Sequence, residues 1–364
     1  MGVTTESAIG AAARAFAVEG EFISAERYGN GHIHETYRVT VERNGRALHL
    51  LLQRINTTVF ARPVELMENI ERVTAHVAAC VANDVDRERR AMQLIPAINA
   101  RSWYVDEQGA YWRMYRFVEG ARSVELVESA EQCFEVARAF GRFQQQLASM
   151  PGPRLHDTIP DFHNTPKRLA KLDRAIAADE AARVKFTGPE IEFVLKRRQV
   201  ASVLQDAGLP ERVTHNDTKI NNVLLDEKTD EAVCVIDLDT VMPGLAVYDF
   251  GDMVRTATCA AAEDERDLKK VWVRFEYFEA LTCGYFEGAG AMLNVEEKKG
   301  LVASGKLIVF EQAIRFLTDY LEGDRYYKVS YGEQNLARCR TQLKLLESIE
   351  AQEHHMNRLV RSLV

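Results

Sequence analysis

The chain has 364 residues, with 46 lysines and arginines against 54 aspartates and glutamates, a formal net charge of −8. Its 46% apolar residues are enough to offset chain entropy, which excludes a disordered chain, and its length predicts two domains or one bilobal unit. The acidic balance excludes a dedicated nucleic-acid binder, which needs a basic stripe, but not a small phosphate compound held by a metal ion and a few local cations.

The chain opens with a short predicted helix at residues 6–18. An antiparallel hairpin follows over 24–55, with a glycine turn at Gly29-Asn30-Gly31 and a second turn signal at Asn44-Gly45. Pro63 suits the first turn of a helix, and Met67, Ile70, Val73, Val77 and Val81 recur at helical spacing behind it. Strands at 101–106 and 111–118, joined by Glu107-Gln108-Gly109, complete a small antiparallel sheet with one helix on it. After Glu119-Gly120 the pattern turns helical, at 130–148, 166–184, 190–207, 264–288, 296–322 and 334–360. Only 213–239 breaks the run, as a short β-hairpin. The predicted division is a sheet lobe over 1–119 and a helical lobe over 120–364.

The six cysteines are scattered and none forms a Cys-x-x-Cys pair. Free thiols in a reducing cytoplasm are the expectation. No apolar run approaches the roughly 18 residues that span a membrane. Glu6 precedes the first apolar stretch and no basic region leads it, so neither a signal peptide nor a membrane partner is expected.

The chemistry concentrates in VTHNDTKINNVLLDEKTDEAVCVIDLDTVMPG. Asp217 precedes Asn222 by five residues, and Asp237 and Asp239 follow the second strand of the hairpin. A phosphoryl donor arrives with Mg²⁺, which takes oxygen ligands, and an acceptor hydroxyl needs a carboxylate to orient it and take its proton. One carboxylate, one amide and a second carboxylate across a hairpin supply that set. Any single Asp here has the plainer reading of a cap or turn residue. As a group they stay polar beside buried strands, where an unpaired charge is costly.

His215-Asn216-Asp217-Thr218-Lys219-Ile220-Asn221-Asn222 resembles the His-x-Asp-x-x-x-x-Asn catalytic loop of the protein-kinase-like fold. Ile236-Asp237-Leu238-Asp239 resembles the metal strand of the aminoglycoside phosphotransferase family, which also holds choline and homoserine kinases. The wording HNDTKINNVLLD, CVIDLDTVMPG and YDFGD, with GNGHIHETY upstream and FEQAIRFLTDYLEGDRYY downstream, is similar to the N-acetylhexosamine 1-kinase branch of that family. The resemblance implies an α+β bilobal fold with a small antiparallel-sheet lobe and a larger helical lobe. It implies Asp217 as the base, Asn222 and Asp237 on Mg²⁺ with Asp239 beside them, and Lys219 reaching the transferring phosphate. The plainer reading of Lys219 is an exposed loop lysine. His215 reads as a structural imidazole. Tyr248-Asp249-Phe250-Gly251-Asp252 is not taken as a metal motif, and Asp249 or Asp252 is expected to be an N-cap or a buried brace.

Gly29, Asn30, Gly31 and His32 fit a phosphate-covering turn, because backbone amides approach phosphate closely where no Cβ intervenes. A hairpin turn alone also favours these residues. The next strand departs from the kinase pattern: it offers Gln53 and Arg54 where a lysine should stand, and Arg54 is a fit replacement since guanidinium binds phosphate well. Its glutamate partner is left open between Glu68 and Glu71. Tyr115, Arg116, Phe117 and Val118 are the candidate adenine hinge. For the acceptor, the candidates are Asp217, Asp239, His163, Tyr326, and Arg315 and Asp319 from the Glu311, Arg315, Asp319 stripe of one helix. The reading is an ATP- and Mg²⁺-dependent kinase for a sugar hydroxyl, best the anomeric hydroxyl of GlcNAc or GalNAc. The rivals are another acceptor (another sugar, an amino alcohol, an aminoglycoside) and a catalytically dead nucleotide-binding module.

Overall fold

The computed structural model describes residues 5–29 and 33–364. The expected phosphate-turn residues Asn30, Gly31 and His32 lie outside the described residues. The chain divides into two compact units. The first runs to Ala121 and takes in two later segments, Met150–Ile159 and Val233–Met242. The second comprises Arg122–Ser149, Pro160–Ala232 and Pro243–Val364.

The first unit begins with α1 (Thr5–Arg14), followed by β1 (Glu21–Arg27), β2 (Glu35–Arg43) and β3 (Arg46–Arg54). Period-two alternation buries Tyr37, Val39 and Val41 on β2 and Leu50 and Leu52 on β3, with Val39 opposite Leu50 and Tyr37 opposite Leu52. Asn44 and Gly45 both carry positive φ (52° and 72°), as a tight hairpin turn requires. Next come α2 (Pro63–Cys80), α3 (Arg87–Arg90), β4 (Leu94–Ile95), β5 (Tyr104–Val105) and β6 (Tyr111–Arg116). The antiparallel sheet runs β1-β2-β3-β6-β4, with β5 also on β6. Ala12, Ala13 and Phe16 close its apolar face over Trp112 and Met114. On α2, Leu66, Met67, Ile70, Val73 and Val77 are buried. The segment 150–159 is tied to this helix by Asn69, whose side chain donates to His156 O (2.9 Å) and accepts from His156 N (3.0 Å).

Beyond β7 (Ala121–Arg122) come α4 (Ala130–Leu147), α5 (Thr165–Ala178), α6 (Gly188–Leu195) and β8 (Glu211–Thr214). Then follow β9 (Val223–Asp226), β10 (Ala232–Val235), β11 (Met242–Leu245), α7 (Ala246–Ala257), α8 (Phe275–Ala289), α9 (Val295–Lys299), α10 (Leu301–Leu321) and α11 (Gln334–Leu363). Four expected helices differ clearly. The 166–184 run ends at Ala178, where Asp179 takes a left-handed backbone (φ 41°). The 190–207 run ends at Leu195 and continues as a 3₁₀ turn, Arg198–Ser202. The 264–288 run is α-helical only from Phe275. Ahead of it Val271 and Val273 are buried with Trp272 exposed between them, and Val273 N donates to Ser348 Oγ, which holds the backbone extended. The 296–322 run breaks at Gly300 into α9 and α10.

Helices α4 and α8 pack through small residues. A Cβ on Gly284 would collide with the Phe134 carbonyl oxygen, and one on Gly141 would sit 2.9 Å from Ala289 N. All six cysteines are free thiols, and no helix among the described residues is long and apolar enough to cross a membrane. Gly284→Ala is expected to cost about 1–3 kcal/mol through overpacking, read as a lower urea midpoint at unchanged m-value. An unchanged midpoint would show that α4 can move away freely.

Candidate active site

In the second unit, β8 delivers the chain to a loop whose backbone is fully specified. Asn216 has a left-handed backbone (φ 65°), and its amide group turns back on β8, accepting from Thr214 Oγ1 at 2.9 Å. Gly244 on β11 makes room for this contact, since a Cβ there would lie 2.5 Å from Thr214 Oγ1. Asp249, fully buried in the first turn of α7, accepts from His215 N (2.9 Å), Asn216 N (2.7 Å) and Gln144 Nε2 (2.5 Å). Thr218 Oγ1 donates to the Asp249 carbonyl at 2.6 Å. The His215 ring sits edge-on to Phe140 and Phe143, and its Nδ1 faces Asp217 N at 3.3 Å. The expected brace is therefore Asp249, and His215 is a support.

Asp217 projects from this scaffold. Lys219 Nζ stands 2.9 Å from its Oδ2, and Asn222 Nδ2 donates to its carbonyl at 2.8 Å. Burial pushes its carboxyl up, but Lys219, His215 and Arg255 outweigh burial and hold it below the ordinary carboxylate value. Asp217 in turn pushes Lys219 up to about 12. The pair is a carboxylate and an ammonium at neutral pH.

In the first unit, the chain leaving β10 reaches Asp237, which has a left-handed backbone (φ 60°) and heads a 3₁₀ turn, Leu238–Thr240. Asp239 is put to another use than the one expected. Both its oxygens are bound by the buried Arg113 of β6 (2.5 and 2.7 Å), and His34 Nε2 is 3.3 Å away. Asn56 N donates to His34 Nδ1 (3.0 Å), which leaves Nε2 as the protonated ring nitrogen on the Asp239 side. Asp239 thus has protein partners on both oxygens, where the sequence reading placed it on a metal and an acceptor. Burial pushes its carboxyl up, but Arg113 and then His34 hold it well below the ordinary range.

Elsewhere in the second unit, two residues expected to meet an acceptor have protein partners instead. Asp319 accepts from the amides of Arg325 (2.9 Å), Tyr326 (2.8 Å) and Tyr327 (2.9 Å), so it shapes the loop after α10 instead of facing a ligand. His163 spends both ring nitrogens, on Glu311 Oε1 (2.9 Å) and on Asn216 O (3.0 Å). Arg315 lies over the rings of Phe162 and Tyr327 (5.5 and 5.7 Å to the centroids), with one guanidinium nitrogen 3.2 Å from Gln312 Oε1. Burial works against its charge, but Tyr327, Glu311, Tyr326 and Asp217 keep it raised. Arg168, which the sequence did not single out, stands beside it: burial and then the Arg315 charge push Arg168 down, and its Nε–H is buried without a partner. Tyr326 is 63% exposed, edge-on to Tyr327.

Residues 24–275 match the sequence model of the phosphotransferase enzyme family, well over half of the chain. The chain belongs to that family. Solved structures share its fold at low identity. The microcompartment-associated aminopropanol kinase superposes with a TM-score of 0.59 at 16% identity, covering 96% of this chain and 98% of that one. Choline kinase from Cryptosporidium parvum gives 0.60 at 13% identity, with 98% and 99% covered. Spectinomycin phosphotransferase bound to ADP and spectinomycin gives 0.54 at 13% identity, with 92% and 94% covered. The α+β protein-kinase-like fold is thereby established, and the chain is a phosphotransferase by family.

Seen as such an enzyme, its sheet is unusual. Gln53 does not face outward as a donor to phosphate: it accepts from Arg113 Nε (2.9 Å) and donates to Thr36 Oγ1 (3.1 Å). Arg54 meets Glu35 at 3.5 Å and is half exposed. Glu68 bonds His156 (2.9 Å), and Glu71 is exposed. On the candidate hinge, Tyr115 is buried, Arg116 N donates to Gln93 O (2.9 Å) and Phe117 N to His49 O (3.3 Å), so neither of those amides is open to adenine. Gly29 has φ 75° and open space where a Cβ would stand. Among the described residues no three His, Cys, Asp or Glu side chains converge. The donor chemistry still fits Mg²⁺. Asn222 of the second unit gives its amide nitrogen to the loop and keeps its oxygen, and Asp237 of the first unit is a carboxylate; each is an oxygen donor of the kind that would hold Mg²⁺.

The Arg113–Asp239 pair is the cation-bearing feature that the strand pattern hid. Arg113→Met is expected to cost about 3–5 kcal/mol by stranding a buried carboxylate, while Arg113→Met with Asp239→Leu recovers most of that loss. Urea denaturation of the double-mutant cycle measures both, and a single-mutant cost under about 1 kcal/mol would contradict the burial of the pair.

Proposed function

We propose that this phosphotransferase is an ATP- and Mg²⁺-dependent kinase for a polyhydroxyl acceptor without a cationic amine, the best candidate being the anomeric 1-hydroxyl of an N-acetylhexosamine. The observation that supports the acceptor class is the pair of guanidinium groups, Arg168 and Arg315, in the electrostatic reach of one another, with Asp217 acting on Arg315. Two fixed cations repel an ammonium. The aminopropanol and choline of its structural neighbours' names carry one. Guanidinium over Phe162 and Tyr327 rings instead matches hydroxyl and carbonyl oxygens beside a flat apolar face.

In this reading the acceptor hydroxyl lies against Asp217. Its oxygen attacks the γ-phosphorus, the bond from that phosphorus to the β–γ bridging oxygen breaks, ADP leaves, and the hydroxyl proton passes to Asp217. Lys219 keeps Asp217 ionised and offers a charge to the transferring group. Asn222 and Asp237 are the oxygen donors assigned to Mg²⁺, which would supply charge neutralisation to the phosphates. Adenine is assigned to the end of β6 near Val118, where the Tyr28 and Phe117 rings meet edge to face at 5.3 Å.

ADP release over a panel of N-acetylhexosamines, other sugars, amino alcohols and aminoglycosides tests the reading. N-acetylhexosamines are expected to give the highest kcat/KM. Turnover confined to amines would overturn the acceptor class, and ATP binding with no turnover on any acceptor would favour a dead module. Asp217→Asn is expected to lower kcat by about 10²–10⁴-fold with nucleotide binding kept. Arg315→Ala should raise the acceptor KM about tenfold or more with a smaller change in kcat. Lys219→Met should move the acid limb of the kcat/KM profile to higher pH, because the charge that holds the Asp217 carboxyl down is gone.

A further inference from the structure

His163 has two partners that can only accept. Nδ1 stands 2.9 Å from a Glu311 carboxylate oxygen and Nε2 stands 3.0 Å from the carbonyl oxygen of Asn216. Satisfying both requires a proton on each nitrogen, so the buried ring is an imidazolium. Its counter-charge is built as carefully. Glu311, 2% exposed in the middle of α10, receives the Thr165 hydroxyl on its other oxygen at 2.6 Å. The ring itself is wedged between Phe162 (4.8 Å) and Tyr248 (4.9 Å).

The carbonyl that His163 holds belongs to the peptide group that also carries the Asp217 amide. That amide faces His215 Nδ1 at 3.3 Å on the other side of the same plane. The peptide joining Asn216 to Asp217 is therefore gripped from both edges, next to a residue at φ 65° that would otherwise be free to relax. We propose that His163, charged and paired with Glu311, is a positioning residue that fixes the 216–217 peptide plane and so aims the Asp217 carboxylate at the acceptor. This rests on the reading of Asp217 as the base. It adds a residue that acts through the backbone, and it makes the loop's geometry depend on a proton.

The groups that face the imidazolium are Glu311 of α10, Asp252 and Tyr248 of α7, and the Asn216 carbonyl, with Arg315 and Arg168 acting on Glu311. Burial works against the charge, but Glu311, Asn216 and Asp252 together raise the imidazole above its ordinary value. A raised imidazole keeps the clamp closed below the usual histidine range and releases it as pH climbs through the folded-state value. The wild-type kcat profile should thus carry an alkaline limb above the ordinary histidine range.

His163→Gln, which keeps a donor but no charge, is expected to lower kcat on the order of 10–100-fold with the KM for ATP unchanged, and to remove that limb. Glu311→Gln should keep the limb and move it to lower pH. A His163→Gln enzyme with wild-type kcat and profile, merely less heat-stable, would overturn the proposal. The charge state is read separately by ¹⁵N NMR of the His163 ring in the wild-type protein without nucleotide. Two protonated nitrogens at pH 7 are expected, and a neutral tautomer would overturn the clamp even if every acceptor is turned over. Failure of all acceptors with a protonated ring would instead defeat the kinase reading alone.

Discussion

The carboxyl group of Asp249 is the contact on which the loop carrying Asp217 depends. It is buried in the first turn of α7 and collects the backbone amides of His215 and Asn216 together with the Gln144 side chain. Without an acceptor at that point, two buried N–H groups are left unsatisfied, at about 1–3 kcal/mol each. Gln144 is held in turn by Tyr285, whose hydroxyl donates to its amide oxygen at 2.5 Å. Helices α4, α7 and α8 thus meet at the loop from three directions, and the left-handed Asn216 is held in place by surroundings that over-determine it.

The same economy appears in the first unit, with a different charge pair. A kinase-like sheet is expected to carry a lysine on its third strand, and this one carries Gln53. The cation sits across the ladder instead, at Arg113, directly opposite Gln53 in the β3–β6 register. It is not an exposed phosphate ligand. It is buried against Asp239, with His34 on the same carboxylate. This holds Asp239 two residues from Asp237, and Asp237 takes the left-handed turn that aspartate tolerates better than most residues. A buried bidentate pair is weak evidence of net stability, but it fixes one geometry.

Helix α10 shows how one polar stripe serves three purposes. Glu311, Arg315 and Asp319 recur one turn apart on a helix that is otherwise apolar on most sides. Glu311 faces back to His163 and Thr165, Asp319 faces forward to the loop at 325–327, and Arg315 between them is left with one guanidinium contact to protein oxygen. The two carboxylates are spent on neighbouring protein groups, and the arginine lies over the rings of Phe162 and Tyr327.

The sequence by itself determined the fold class and the order of sheet and helices, and it marked out the loop carrying Asp217, Lys219 and Asn222 and a buried acid at Asp249 or Asp252. These are legible because they depend on short-range spacing: period two in β2 and β3, period 3.6 in α2 and α4, and a fixed loop interval. Only the tertiary structure decided what the isolated polar residues do. His163, Asp319 and Asp239 have partners 53, 6 and 126 positions away, and whether a buried polar side chain is free to meet a ligand depends on those partners. Arg113 alternates with Trp112 and Met114, so the strand pattern assigns it to the face opposite the core and conceals its burial. Arg168 gave no signal either: a lone arginine on a helix reads as solvent-exposed until the fold sets a second guanidinium beside it.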